Sequence, residues 1–208
     1  MLSTSKKAFF GDFVFEICDQ VYAPAEDSFL FAENLCVNQG ASVLDMGSGS
    51  GILGILASKQ ATAVLAVDVN PYAIRCTKQN AVRNNVQANM AFLRGDLFAS
   101  ITETVKFDLI LFNAPYLPSE PGEENSWLGC SWAGGITGRQ IIDKFIFQAP
   151  KHLEKNGAIF LMQSNLANVE QTKEKFLVCG MKTKTVARLS LPFFETLVLL
   201  KAIFCHNL

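Results

Sequence analysis

The side chains with the most chemical content fall at the carboxyl ends of short apolar runs. Val43-Leu44-Asp45 leads into Met46-Gly47-Ser48-Gly49-Ser50-Gly51, and Ala63–Asp68 ends in a second aspartate 23 residues after the first. Asp96 and Leu97 follow a third run, Met90–Leu93. Ligands of open α/β sheets bind outside the carboxyl ends of the strands, so three carboxylates belong to one site. Gly47, Gly49 and Gly51 let the backbone turn sharply and approach a ligand beside a helix N-terminus. Gly49-Ser50-Gly51-Ile52-Leu53-Gly54 spells GxGxxG, so a nicotinamide dinucleotide has to be weighed. Charge argues against it. A pyrophosphate would meet Asp45 with no Lys or Arg before Lys59. Three carboxylates suit a ligand with cationic groups and sugar hydroxyls. S-adenosyl-L-methionine carries a sulfonium and an ammonium and has no phosphate, and Asp68 is placed for its ribose. A glycine turn that serves only packing is the plain alternative.

A fourth run, Phe107–Phe112, ends in Asn113-Ala114-Pro115-Tyr116. Pro115 forces Ala114 into an extended conformation and leaves its carbonyl free beside the Asn113 amide. Those two oxygens can accept both hydrogens of a planar NH2 group, and Tyr116 offers it a flat face. The arrangement suits methyl transfer to an amide or to an amino-substituted base, whose nitrogen lone pair is delocalised. Two acceptors on its hydrogens favour the pyramidal transition state and aim the lone pair. An Asn–Pro turn merely closing a strand is the plain alternative here.

These residues need a scaffold, and the chain supplies one. From Ser42 onward short apolar strands alternate with helical segments, the pattern of a parallel sheet covered on both faces. Strands are predicted at Ser42–Asp45, Ala63–Asp68, Met90–Leu93, Phe107–Phe112 and Ala158–Gln163. Helices are predicted at Ile52–Lys59, Pro71–Val82 (capped by Asn70), from about Arg139 to Leu153, and at Val169–Val178. Lys182–Leu189 and Thr196–Phe204 are extended and joined by a short loop, so they form an antiparallel hairpin. Ala25–Cys36 reads as a lead-in helix after an extended piece at Phe13–Cys18. Pro118–Gly138 has no periodicity and reads as a functional or mobile loop. Within it Trp127 and Trp132 either anchor a substrate protein or pin the loop, and Arg139 either grips the acceptor or starts a helix.

Composition bounds the reading. Of 208 residues 18% are charged and 50% hydrophobic, which excludes disorder and supports a large core. No apolar run approaches a membrane span, and the start at Met1 does not read as a secretion signal. A soluble, cytoplasmic protein without membrane attachment is expected. Net charge is −1, without a basic face for phosphates, so a nucleic-acid partner is disfavoured. Six widely spaced cysteines and the separated His152 and His206 form no ligand cluster, and no metal site is expected.

Taken together these residues resemble the class I S-adenosylmethionine-dependent methyltransferases, and specifically the HemK-type protein-glutamine N5-methyltransferases. The resemblance runs from about Val21 to Lys201. It rests on Val21–Ser28, Leu44–Gly51 with Asp68, Gly95-Asp96-Leu97, and Asn113–Tyr116. A further block, Ser131–Arg139, is similar to the archaeal and eukaryotic branch, which methylates the Gly-Gly-Gln glutamine of class I peptide chain release factors. The resemblance implies a Rossmann-like α/β fold with a mostly parallel seven-stranded sheet ending in an antiparallel hairpin. It implies a single methyltransferase domain over residues 1–208, with 1–40 as lead-in and 118–138 facing the substrate. It implies that Ser28, where the family usually has Thr, contacts S-adenosyl-L-methionine. Asp45 and Gly47 would hold the methionine end, Asp68 the ribose, and Asp96 and Leu97 the adenine, with Gly49 and Gly51 shaping the loop. Asn113 and the Ala114 carbonyl would clamp the substrate amide. The family's tetrapeptide is Asn-Pro-Pro-Tyr, and here Ala114 replaces the first Pro; that residue contributes its carbonyl, so Ala can serve with some loss of rigidity. A small zinc-binding methyltransferase activator, covering apolar surface near a sheet edge, is the implied partner. Adenine N6, a lysine amine and a non-catalytic scaffold stay open as alternatives.

Overall fold

The computed structural model describes residues 6–205. The chain start and His206, on which two of the expectations rest, lie outside the described residues. In chain order the elements are β1 (Lys6–Phe10), β2 (Phe13–Ile17), α1 (Glu26–Glu33), β3 (Ser42–Met46), α2 (Ile52–Ala57), β4 (Ala63–Asp68) and α3 (Pro71–Arg83). There follow β5 (Met90–Arg94), β6 (Phe107–Asn113), α4 (Gln140–Gln148), β7 (Leu153–Ser164), α5 (Val169–Val178), β8 (Met181–Ser190) and β9 (Thr196–Phe204). Seven strands form one sheet in the order β5-β4-β3-β6-β7-β9-β8. All pairs from β5 to β7 are parallel, and β9 is antiparallel to both β7 and β8. The mostly parallel sheet with a C-terminal antiparallel hairpin is therefore as expected.

The central strands are apolar because both of their faces are covered: Val43, Leu44, Ile110, Leu111, Ile159 and Leu161 have no solvent exposure. The connection from β4 onward runs outward from β3 on one side, and from β6 on the other. The crevice between β3 and β6 is thus the topological switch point where such sheets bind ligands. Met46 pairs with Phe112, which puts Gly47 level with Asn113 at the strand ends. Asn70 accepts the Tyr72 N–H at 2.9 Å as N-cap of α3, with Pro71 at the first helical position, as its sequence predicts.

Two elements differ from the sequence-based reading. The helix expected from Arg139 to Leu153 ends at Gln148, and Ala149–His152 form a 3-10 turn. Pro150 lacks the N–H for another helical bond and crowds the preceding turn. β7 then starts at Leu153, with Asn156-Gly157 inside it, and its register on β6 shifts between Phe107 and Leu109. A Cβ on Gly157 would lie 2.9 Å from the Asp108 carbonyl oxygen, so only glycine fits that crossing. The second difference is β1, which pairs with β2 as a separate two-stranded ribbon across a Gly11-Asp12 turn.

That ribbon docks on α3 by side-chain amides. Asn84 exchanges bonds with the Val14 N–H (3.0 Å) and carbonyl (2.9 Å), and Asn80 does the same for Glu16 (2.9 and 3.0 Å). Four helical residues rise about 6 Å and two strand residues about 6.6 Å, so the two spacings match. The ribbon therefore fixes where the following segment, Val21 to α1, crosses the crevice.

Candidate active site

A cavity of about 890 Å³ opens at the carboxyl end of the sheet, over the β3/β6 crevice. Its lining contains Ser28, Asp45, Gly47, Gly49, Asp68, Asp96 and Leu97, together with Asn113, Ala114, Pro115 and Tyr116. Gly51 stands apart from this lining. At φ +87° it is the N-cap of α2, and a Cβ there would lie 2.8 Å from Thr77 Cγ2, so its absence of side chain serves packing. Seven residues expected at one site from three separate blocks of sequence are thus brought together with the acceptor tetrapeptide.

The cavity is acidic throughout. Asp27, Asp45, Asp68, Asp96, Glu120 and Glu124 line it, and no Lys, Arg or His among the described residues does. Asp45 is 1% exposed and accepts the Gly54 N–H at 2.9 Å. A Cβ on Gly54 would lie 2.7 Å from the same carboxylate oxygen, which explains the third glycine of GxGxxG. Burial pushes the Asp45 carboxyl up to about 7; the Gly54 N–H pulls it down and the Asp68 charge raises it further. Asp68 accepts the Gly49 N–H at 2.9 Å and the Asn70 N–H at 2.8 Å, and burial raises its carboxyl against these bonds. Carboxylates buried without a cation favour a cationic ligand over a phosphate.

On the acceptor side the Asn113 amide is held in one orientation. Its Nδ2 donates to Asp27 Oδ2 at 3.0 Å and to Ser28 Oγ at 3.3 Å. A carboxylate only accepts, so the NH2 end must face Asp27. The other end, Asn113 Oδ1, is buried without a hydrogen-bond partner. A buried polar atom left unpaired costs about 1–3 kcal/mol and is an acceptor awaiting a donor. Asp27 also accepts from the Tyr116 hydroxyl at 3.2 Å, the Tyr22 hydroxyl at 3.5 Å and the Ser28 N–H at 2.6 Å. Both phenols are pushed upward, first by burial and then by the Asp27 charge.

Asp27 and Tyr22 are site residues that the sequence reading did not single out. An acidic residue in the first turn of a helix ordinarily answers the helix dipole, which gives Asp27 a sufficient local explanation. Their only signal was membership of the Val21–Ser28 block.

The Pro118–Gly138 segment is ordered. It contains 3-10 turns at Glu123–Asn125 and Gly129–Ser131. It folds back on the acceptor tetrapeptide through Leu117 N–H to Trp132 O (3.0 Å), Gly134 N–H to Leu117 O (2.8 Å) and Ser119 N–H to Gly135 O (3.0 Å). A Cβ on Gly138 would lie 2.2 Å from the Tyr116 carbonyl oxygen, so the closure requires glycine. Trp132 lines the cavity, whereas Trp127 is half-buried beneath the Arg94 guanidinium. Arg139 is 4% exposed and donates to the Asn168 carbonyl (2.8 Å), Thr172 Oγ1 (3.0 Å) and Asp143 (2.6 Å), tying α4 to the start of α5. It braces two helices and does not face the acceptor. His152 stacks on Phe98 with ring centroids 4.6 Å apart, and no metal-binding cluster occurs among the described residues.

Comparison with known proteins agrees with this geometry. The profile of the ribosomal protein L11 methyltransferases (PrmA) matches residues 28–114. Two solved structures share the fold. The E. cuniculi Mtq2–Trm112 complex, described as responsible for methylation of the eRF1 translation termination factor, has a TM-score of 0.70 at 22% identity over 89% of this chain and 99% of that one. The T. thermophilus 16S rRNA N2 G1207 methyltransferase RsmC, in complex with AdoMet and guanosine, has 0.71 at 19% over 97% of this chain and 50% of that one. Fold and cavity together define a class I methyltransferase. In sequence the chain is 42% identical over 182 residues to a Methanocaldococcus jannaschii protein provisionally named a protein N5-glutamine methyltransferase, covering 86% of this chain and 90% of that one. It is 35% identical over 176 residues to the Homo sapiens methyltransferase HEMK2, covering 79% and 81%. The chain belongs to the HemK-type protein N5-glutamine methyltransferase family.

Proposed function

We propose that this protein transfers a methyl group from S-adenosyl-L-methionine to the side-chain amide nitrogen of the glutamine in the Gly-Gly-Gln motif of a class I peptide chain release factor. The observation that carries the reading is the buried, unpartnered Asn113 Oδ1, fixed in orientation by Asp27. It is an acceptor placed for one hydrogen of a primary amide. The Ala114 carbonyl, held by Pro115, takes the other, and Tyr116 supports the amide plane.

The cofactor site in this reading is the acidic half of the cavity. Asp45 and Gly47 hold the methionine end, Asp68 the ribose, and Asp96 and Leu97 the adenine. Ser28 and Gly49 complete the wall, and Gly51 shapes the loop from behind. When bound, S-adenosyl-L-methionine supplies an electrophilic methyl on a sulfonium. The chain's own part is to orient the acceptor. Asn113 and Ala114 hold both amide hydrogens, which favours a pyramidal nitrogen with its lone pair directed into the cavity. No base is needed before attack, and the proton leaves afterwards.

The same reading includes a small zinc-binding activator seated near a sheet edge; the Mtq2 neighbour's assembly with Trm112 supports a partner protein. It also places the protein in the cytoplasm, and no helix among the described residues is long and apolar enough to cross a membrane. The test is peptide mass spectrometry after incubation with isotope-labelled S-adenosyl-L-methionine and a class I release factor, wild type and with the motif Gln replaced by Asn, with and without the activator. Label is expected on the Gly-Gly-Gln peptide and absent from the Asn variant. Measurable cofactor binding with no label on that glutamine overturns the assignment.

A further inference from the structure

The turn between β8 and β9 holds two aromatic residues in a conformation that costs free energy. Leu191-Pro192-Phe193-Phe194-Glu195 is closed by the Leu191 N–H to the Glu195 carbonyl at 2.8 Å. Phe193 and Phe194 both take left-handed backbone, at φ +60° and +64°. Residues with a Cβ avoid this region, and bulky ones most of all. Both side chains are 96% exposed, so no packing within the chain compensates. Positive φ at both positions closes the β8–β9 hairpin, a turn that asparagine or glycine makes at less cost, so two bare aromatic rings in that place point to a role outside the fold.

The strained turn is also held rigidly. Asn165, just past the end of β7, donates through Nδ2 to the Phe194 carbonyl at 3.2 Å and accepts the Thr196 N–H on Oδ1 at 2.7 Å. Leu166, the next residue, is 49% exposed. The turn stands at the same end of the sheet as the acceptor tetrapeptide: Asn113 pairs with Met162 of β7, and Ser164, two residues further on, pairs with Leu197 at the start of β9. On the rim itself Ile136, a cavity-lining residue of the Pro118–Gly138 segment, is 79% exposed. Apolar surface is thus presented around the mouth through which an acceptor side chain must enter.

We propose that Phe193 and Phe194 form a docking lip for the protein that carries the acceptor glutamine, covering the apolar surface of the segment that flanks it. This rests on the function proposed above. The lip rises from the same end of the sheet as the acceptor pocket, and a side chain can reach that pocket only if its own backbone lies across the mouth. Glu120, Glu124 and Glu195 make the surroundings acidic, which repels anionic lipid headgroups and nucleic-acid phosphates and leaves a protein surface as the apolar partner. Rings held on a rigid turn bind without ordering a loop, and exposed aromatic residues are frequent anchors at protein interfaces.

The experiment uses the full chain with Phe193→Gly and Phe194→Gly together, and Phe193→Leu with Phe194→Leu as the conservative pair. Melting temperature and S-adenosyl-L-methionine affinity are measured first, followed by kcat and KM with an intact release factor. The glycine pair is expected to melt at the same or a higher temperature, because glycine relieves the strain and no packing is lost. Its KM for the factor should rise at least tenfold, with the loss in KM rather than kcat, and the leucine pair should recover most of it. A wild-type enzyme that labels the factor and a glycine pair with unchanged KM overturn the lip alone. A glycine pair that instead changes the protein's own oligomeric state, with KM unchanged, overturns it in favour of self-association. A wild-type enzyme that labels no glutamine on the factor overturns both the lip and the function beneath it.

Discussion

Asp27→Asn keeps the shape of the side chain and converts one acceptor oxygen into a donor. Where that donor goes decides the outcome. At the Oδ1 position it would face the Ser28 N–H, 2.6 Å away, donor against donor. It is therefore driven to the Oδ2 position, where it faces Asn113 Nδ2 at 3.0 Å and the Tyr116 hydroxyl at 3.2 Å. The tyrosine can turn its hydroxyl. The asparagine can only lose its partner or rotate its amide, and rotation puts its NH2 into the pocket where the acceptor's own N–H must sit.

Losing a hydrogen bond to a charged group costs about 1.5–3 kcal/mol, and an unpaired donor opposite the acceptor adds about 1–3 kcal/mol. With roughly 3–4 kcal/mol of this felt in the transition state, kcat should fall about 10²–10³-fold. Transfer is followed with labelled cofactor and a release factor, cofactor affinity by calorimetry, and folding by a melting curve. Cofactor affinity should stay within about threefold, because the oxygen kept at the Oδ1 position still accepts from Ser28 and the change falls on Asn113 and Tyr116. A folded Asp27→Asn variant with kcat within about threefold of wild type would refute the argument that Asp27 sets the Asn113 orientation.

Asn113→Ala removes the acceptor oxygen itself and should lower kcat at least 10³-fold with cofactor affinity close to normal; a large loss of cofactor affinity in calorimetry would count against its placement on the acceptor side. For Asp45 the folded carboxyl is raised to about 7 from 3.8, so the folded protein keeps a proton that the unfolded chain has already released. Stability of the free protein should therefore fall as pH rises from about 4 to 7, and Asp45→Asn should flatten that part of the melting-temperature profile. A cationic ligand favours the ionised carboxylate, so cofactor binding should tighten as pH rises through 7 and release a proton, read from calorimetry in two buffers of different ionisation enthalpy. Ala114→Pro removes only a long 3.4 Å bond from the Ala114 N–H to the Met162 carbonyl and leaves its own carbonyl in place, so kcat should change less than threefold.

The sheet and the glycine loop were legible in the sequence for a local reason. Strands covered on both faces are short apolar runs, a left-handed loop is glycine, and the cap of α3 is Asn70-Pro71, each readable within a few residues. β1 was not legible because Lys6–Phe10 lies in a ribbon with few fully buried positions, although the Gly11-Asp12 turn was a usable hairpin signal. Pro150 was present in the expected helix and should have ended it. The ordering of Pro118–Gly138 depends on bonds between Leu117–Ser119 and Trp132–Gly135, which carry no periodic pattern. Asp27 shows the limit most clearly. Its partner Asn113 is 86 positions away, and only the docking of the N-terminal ribbon and α1 over the crevice makes the two adjacent.

The acceptor geometry by itself does not separate a glutamine amide from the exocyclic amine of adenine, since both are planar NH2 groups with a delocalised lone pair. The field around the cavity does. A base in nucleic acid arrives with flanking phosphates, and a phosphate about 8 Å from a carboxylate is repelled by about 0.5 kcal/mol even in water. Glu120, Glu124 and Asp96 line the cavity, with no cation among the described lining residues to offset them, so such pairs add to about 1–2 kcal/mol against a polyanion. The structural likeness to RsmC does not weigh against this, because at 19% identity it reports the shared fold, and half of that chain has no counterpart here. A neutral amide on a protein loop meets none of this repulsion, and the positively charged cofactor is drawn in by it. On the proposed assignment the carboxylates that attract the methyl donor also narrow the acceptor, and raising the salt concentration should help a nucleic-acid substrate more than a protein one.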